Sequence, residues 1–201
     1  MPTSWLDTVV RQTRRVSDMP YPHWASIFLN NPVRRVIGRP GTVIDGLMLG
    51  GDERVLEIGP GPGYYSTEIA KRVPHGRLHL FDVQPQMLDK ARRAVDAAGC
   101  RNVEFHSGDA GAGLPFPEDT FDVAFLAAVL GEVPDKEICV RGLARVLRPG
   151  GLLVFVEGFG DPDRQSVQTL RELVEPHGFV LQGWEGTTWR DVVRFRLWPP
   201  L

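Results

Sequence analysis

The 201-residue chain is 42% hydrophobic and carries a formal net charge of −2. That length and apolar content suit one buried core with at most a small appendage. The near-neutral charge excludes bulk attraction to nucleic acid or anionic membranes, and no run approaches the roughly 18 apolar residues of a bilayer span.

Cys100 and Cys139 stand far apart with no metal-ligand spacing around them. Both are expected to pack as small apolar residues, and no metal is expected. Met1-Pro2-Thr3-Ser4-Trp5 lacks the basic-then-apolar order of a signal peptide, which points to the cytoplasm.

Residues 1–50 read as a helical cap belonging to the same domain as residues 51–201. Trp5, Leu6, Val9, Val10 and Val16 share one side of a helix, with Arg11, Arg14 and Arg15 on another. Met19-Pro20-Tyr21-Pro22-His23-Trp24 is a proline-stiffened connection, and Asn31-Pro32 resembles a helix start. Arg39-Pro40-Gly41 is expected to break that helix. Val43, Leu47 and Met48 then predict one more short helix, stopped by Gly50-Gly51. The cap is placed to cover a site mouth, or simply to pack.

Val55-Leu56-Glu57-Ile58 is an apolar run carrying one acid, followed by Gly59-Pro60-Gly61-Pro62-Gly63 and a helical pattern from Tyr65 to Val73. The run reads as a strand buried on both faces. Gly59 allows a sharp turn out of it, Gly61 lets a ligand approach the backbone, and Gly63 lets the helix begin hard against the sheet. The helix start offers free N–H groups to an anionic group. The dinucleotide fingerprint is G-x-G-x-x-G, whereas the third glycine here comes one residue early. Pro60 and Pro62 also remove two backbone donors that a pyrophosphate would use. A ligand with little negative charge is indicated.

Strands and helices then alternate. Strands are predicted at Arg77 to Phe81, ending in Asp82, at Val103 to His106, at Phe121 to Ala127, and at Leu152 to Val156, ending in Glu157. Between them come a helix from Pro85 with Leu88, Ala91 and Val95 on one face, and a Gly- and Pro-rich loop over Gly111 to Asp119. A helix lined by Cys139, Leu143 and Val146 follows, ended by Arg148-Pro149-Gly150-Gly151, and another runs from about Asp163 to Glu175. Phe179 to Glu185 and Val192 to Leu197 close the chain with no helix between them, so they should pair antiparallel. This is an α/β fold with a parallel sheet covered on both faces.

Ligands of such sheets bind at the carboxyl ends of the strands. Asp82 there could accept from ribose hydroxyls, or serve as an ordinary helix lead-in. Asp109 could accept an adenine amine beside the Ala110 N–H, or be a turn residue next to Gly108. Ala127-Ala128-Val129 leaves room for an acceptor, and Glu132 is the one ionisable side chain of that segment, read as a general base or a solvated carboxylate. Tyr21 and His23 are further acid–base candidates. His75, His79, His106 and His177 are read as structural.

The glycine loop resembles motif I of class I S-adenosylmethionine-dependent methyltransferases. Leu78-His79-Leu80-Phe81-Asp82-Val83-Gln84-Pro85-Gln86-Met87-Leu88 is similar to the second motif. Leu114-Pro115-Phe116-Pro117-Glu118-Asp119-Thr120-Phe121-Asp122-Val123 is similar to the run before strand four in the ubiquinone and menaquinone C-methyltransferase subgroup, and Leu143 to Gly151 to the turn into strand five. The resemblance implies a Rossmann-like seven-stranded sheet of order 3-2-1-4-5-7-6 with strand 7 antiparallel. It implies S-adenosylmethionine as cofactor, held by Glu57, Gly59, Gly61, Gly63, Tyr64, Asp82, Val83, Met87, Asp109, Ala110 and Ala127. Its activity would be in-line methyl transfer to an unidentified acceptor, expected to be a small molecule, with protein and RNA acceptors left open. Leu130-Gly131-Glu132 stands where the subgroup often has a histidine segment, and no Asn-Pro-Pro-Tyr element favours DNA bases. Two alternatives stay open: a non-catalytic cofactor- or partner-binding module, and a nicotinamide-dependent oxidoreductase, against which the glycine spacing speaks.

Overall fold

The structure, a computed structural model, describes residues 40–158, 161, 163–187 and 190–198. Most of the expected helical cap, with its arginines, Tyr21 and His23, lies outside the described residues. In chain order the elements are α1 (Pro40–Asp45), β1 (Arg54–Ile58), α2 (Ser66–Arg72), β2 (Arg77–Asp82), α3 (Pro85–Ala97), β3 (Val103–Ser107) and β4 (Phe121–Ala127). Then follow a single 3-10 turn at Leu130–Glu132, α4 (Lys136–Val146), β5 (Leu147–Gly158), α5 (Val167–Val174), a second 3-10 turn at Glu175–His177, β6 (Phe179–Gly186) and β7 (Arg190–Leu197).

The seven strands form one sheet of order β3-β2-β1-β4-β5-β7-β6. β1 to β5 pair parallel, and β7 runs antiparallel between β5 and β6. Side chains alternate across the sheet, so each central strand feeds two cores. Val55, Leu78, Leu80, Phe125 and Val154 pack with α1, α2 and α3 on one face. Leu56, Ile58, Phe81, Phe155 and Phe195 pack with α4 and α5 on the other. Each fully buried side chain of this size contributes about 1.5–3 kcal/mol, so the two cores fix where the strand ends lie.

Local chemistry corrects several expected boundaries. The break expected at Arg39-Pro40-Gly41 ends a helix that lies outside the described residues, and α1 runs over Pro40–Asp45. α1 stops at Asp45, short of Met48, which is exposed and left-handed at φ 52°. α5 starts at Val167 rather than near Asp163. The Ser166 side chain caps it by accepting from the Thr169 N–H, and the Asp163 and Gln165 N–H groups donate to the Asp161 and Glu157 carboxylates instead. β5 begins at Leu147, five residues early. Phe121 pairs with Leu147 and Val123 with Leu152, so Arg148 to Gly151 bulges out of the ladder, with Gly150 at φ 77°.

Candidate active site

The glycine loop leaves β1 between the ends of its two neighbours. Gly59 turns at φ 65°, and its N–H donates to the Phe81 carbonyl of β2 at 2.9 Å. A Cβ there would lie 2.4 Å from a Val129 methyl, so the segment after β4 closes directly over this residue. At Gly61, φ is 53° and a Cβ would meet nothing within 4 Å, which is the open cradle expected of a ligand site. Gly63 differs from expectation. Its Cβ would lie 3.1 Å from the Ala91 Cα and 3.3 Å from the Ala94 Cβ, so it admits α3 rather than the sheet. Tyr64, half-buried, packs edge-on to Tyr65 at 4.9 Å, and Tyr65 packs edge-on to Phe125 at 5.2 Å, anchoring the loop.

Two acids stand beneath this loop. Glu57 is 2% exposed, and its Oε2 has no hydrogen-bond partner. Burial pushes its carboxyl up to about 8; the Ser66 hydroxyl nearby pulls it down without closing a hydrogen bond in this geometry, and Asp82 raises it further. Asp82 ends β2, where Oδ1 accepts from the Gln84 N–H at 2.8 Å. Burial raises its carboxyl, opposed by hydrogen bonds from the Gln84 and Gly61 backbones. Asp82 is therefore both helix lead-in and loop partner, and it joins the glycine loop to β2.

The next strand end is tethered to the same place. The Gly108 N–H donates to the Asp82 carbonyl at 3.1 Å, and Gly108 lies so close over Phe81 that a Cβ would be 2.6 Å from the ring. Asp109 follows, exposed, its Oδ1 accepting from the Gly111 N–H at 2.7 Å. This is the turn geometry weighed for it. Ala110 and Met87 are buried, and Val83 is exposed beside Asp82.

After β4, Ala127 is half-buried and Ala128 is left-handed at φ 56°, its N–H held by the Val156 carbonyl at 2.8 Å. A non-glycine residue there costs about 1–2 kcal/mol. Glu132 is half-buried on the 3-10 turn that follows. A Cβ on its neighbour Gly131 would lie 2.1 Å from the Asp163 carbonyl oxygen, so this segment abuts the one following β5.

That second segment carries a residue to which sequence reasoning gave no role. Glu157, 2% exposed at the end of β5, has its carboxyl raised to about 8 by burial, with a hydrogen bond from the Gln165 N–H opposing. The signal was present, since an acid ends its apolar run as Asp82 ends β2. In the register Glu157 faces Asp191 of β7, which accepts from Arg164 and from the Trp184 indole N–H at 3.1 Å.

Pro60 and Pro62 withhold two N–H groups that a phosphate would use, and two buried acids, Glu57 and Asp82, stand beside the loop. This arrangement suits a ligand offering hydroxyls and a cationic donor, with Gly61 admitting close approach and Glu57 Oε2 lacking a donor. A nucleoside carrying an amino acid on a sulfonium, as S-adenosylmethionine does, meets those requirements.

A family model described as a methyltransferase domain matches residues 55–151. The chain is 35% identical over 123 residues to a ubiquinone/menaquinone biosynthesis C-methyltransferase UbiE of Teredinibacter turnerae, covering 60% of this chain and 49% of the relative. It is 40% identical over 106 residues to the UbiE of Pseudomonas fluorescens, covering 52% and 41%. The chain thus spans about half the length of the curated relatives it matches. A SAM-dependent methyltransferase from Aquifex aeolicus superposes with a TM-score of 0.80 at 23% identity, covering 89% of this chain and 100% of that one. The [4+2]-cyclase SpnF superposes with a TM-score of 0.70 at 18% identity, covering 79% of each. The shared fold therefore leaves the reaction to the site.

Proposed function

We propose that the protein, whose residues 55–151 match a methyltransferase-domain model and which is similar to UbiE C-methyltransferases, is a class I S-adenosylmethionine-dependent methyltransferase that binds S-adenosylmethionine over the ends of β1, β2, β3 and β4 and methylates a small molecule. The single observation carrying this is Glu57 and Asp82, two buried carboxylates beside the open backbone of Gly61. When bound, the cofactor supplies an electrophilic methyl group on a sulfonium, whose departure as a thioether needs no acid.

The chain's own residues then have three tasks. Asp82 would accept from the ribose hydroxyls, and Asp109 with the Ala110 N–H would meet the adenine edge. Glu57 would face the methionine ammonium, the donor its Oε2 lacks. Ala127 and Ala128 leave the space in which an acceptor lines up, and Val129 and Leu130 exclude water around it. Glu132 would take a proton from an acceptor that must lose one.

Calorimetry with S-adenosylmethionine tests the first half: one equivalent should bind, and no binding to folded protein would end the reading. Transfer of labelled methyl to small-molecule extracts, against Glu132→Gln as control, tests the second. The variant should lower kcat with little change in the affinity for S-adenosylmethionine. The names of the curated relatives make phenolic and quinol ring carbons the first acceptors to try.

A further inference from the structure

β2 and β3 carry a second group of donors on the face opposite Glu57 and Asp82. In the parallel register His79 pairs with Glu104, and Phe81 with His106, so His79, Glu104 and His106 project on one side. His79 Nδ1 lies 3.1 Å from His106 Nε2 and 3.5 Å from Glu104 Oε2, and His106 Nε2 lies 3.8 Å from that oxygen. The two imidazoles stack at 15°, and Phe116 and Phe121 meet the His79 ring edge-on. Arg77 Nε sits 3.5 Å from the other Glu104 oxygen, turning Oε2 toward the histidines.

We propose that these three side chains form a site for a zinc-class divalent ion, tying the edge strand β3 to β2. Zinc binds imidazole nitrogen and carboxylate oxygen at about 2.0–2.2 Å in a tetrahedron, whose donors are then roughly 3.3–3.5 Å apart. The three observed separations bracket that spacing, so an ion seats with small side-chain adjustments. Two nitrogens and one oxygen favour zinc, cobalt or nickel over magnesium and calcium, which take oxygen. His79 is buried whereas His106 is partly and Glu104 largely exposed, which gives the ion a way in and leaves its fourth position to solvent. A hydrogen bond between the two histidines is the competing use of this cluster. It gives no account of Glu104 Oε2, which stands 3.5 and 3.8 Å from the two ring nitrogens. The sequence offers no metal spacing because the histidines stand 27 positions apart on neighbouring strands.

The test uses chelator-treated, tag-free full chain titrated with Zn²⁺ by calorimetry and with Co²⁺ by visible absorption. The expected result is one equivalent bound, tetrahedral d–d bands with Co²⁺, and a raised Tm. His106→Ala, on a partly exposed side chain, should weaken binding by more than the roughly 10–100-fold that loss of an outer-shell partner costs, and Glu104→Gln should also weaken it. His75→Ala, outside the cluster, should leave binding unchanged. Failure of folded wild type to bind either ion overturns the proposal, as does undiminished binding by His106→Ala with a native circular-dichroism spectrum. None of these readouts depends on methyl transfer.

Discussion

Glu57 and Asp82 stand at the ends of adjacent parallel strands and point to one face of the sheet, and the charge of Asp82 helps hold the Glu57 carboxyl near 8. Two carboxylates in this position cannot both ionise cheaply, so the pair is poised to be neutralised by a cationic ligand.

Binding of S-adenosylmethionine should therefore be coupled to proton release. Below pH 8 free Glu57 holds a proton, and an ammonium beside it favours the anion. Affinity should rise with pH and level off near 8. Calorimetry in buffers of differing ionisation enthalpy measures the released proton, and in Glu57→Gln that release should vanish.

Stability of the free protein should move the opposite way. The Glu57 and Glu157 carboxyls are raised in the folded state from 4.5 to about 8. Their stabilising contribution is complete below pH 4.5 and is lost as pH rises through 8. Glu57→Gln should raise Tm relative to wild type at pH 8 and leave it nearly unchanged at pH 5.

Gly61 and Gly63 should separate binding from folding. Gly61→Ala meets no atom within 4 Å and carries only the left-handed cost, about 1–2 kcal/mol. Its S-adenosylmethionine affinity should fall by about tenfold or more, because the methyl fills the cradle. Gly63→Ala pushes on Ala91 and must shift α3, so its loss should appear mainly as a lower urea midpoint.

Arg164→Ala should destabilise the end of the sheet. Among the described residues it leaves Asp191, facing Glu157 across β5 and β7, with the Trp184 N–H as its remaining side-chain donor. Arg164 is partly exposed, so the cost should sit near the low end for a broken buried pair, about 3 kcal/mol, read by denaturant unfolding. Asp191→Asn in the same background should recover part of it.

Much of this site was legible in the sequence. Glu57, Gly59 and Asp82 follow from apolar runs that end in acids and from a turn that needs positive φ, both local properties. Asp109 was half legible: its place after β3 held, and its carboxylate closes the local turn to Gly111. The expected starts of β5 at Leu152 and of α5 at Asp163 failed for one reason. Side chains and a ladder partner distant in sequence took up the backbone groups that a helix or an early turn would have used.

By itself the sequence determined the strand and helix order and the acids at the strand ends, because periodicity, caps and glycine spacing act within a few residues. Only the tertiary structure decided which side chains meet. Ala91 reaches Gly63, Asp191 opposes Glu157, and His79, Glu104 and His106 converge because strand register and helix packing juxtapose segments far apart in the chain. No local pattern encodes that register, which is set by burying both faces of the sheet at once.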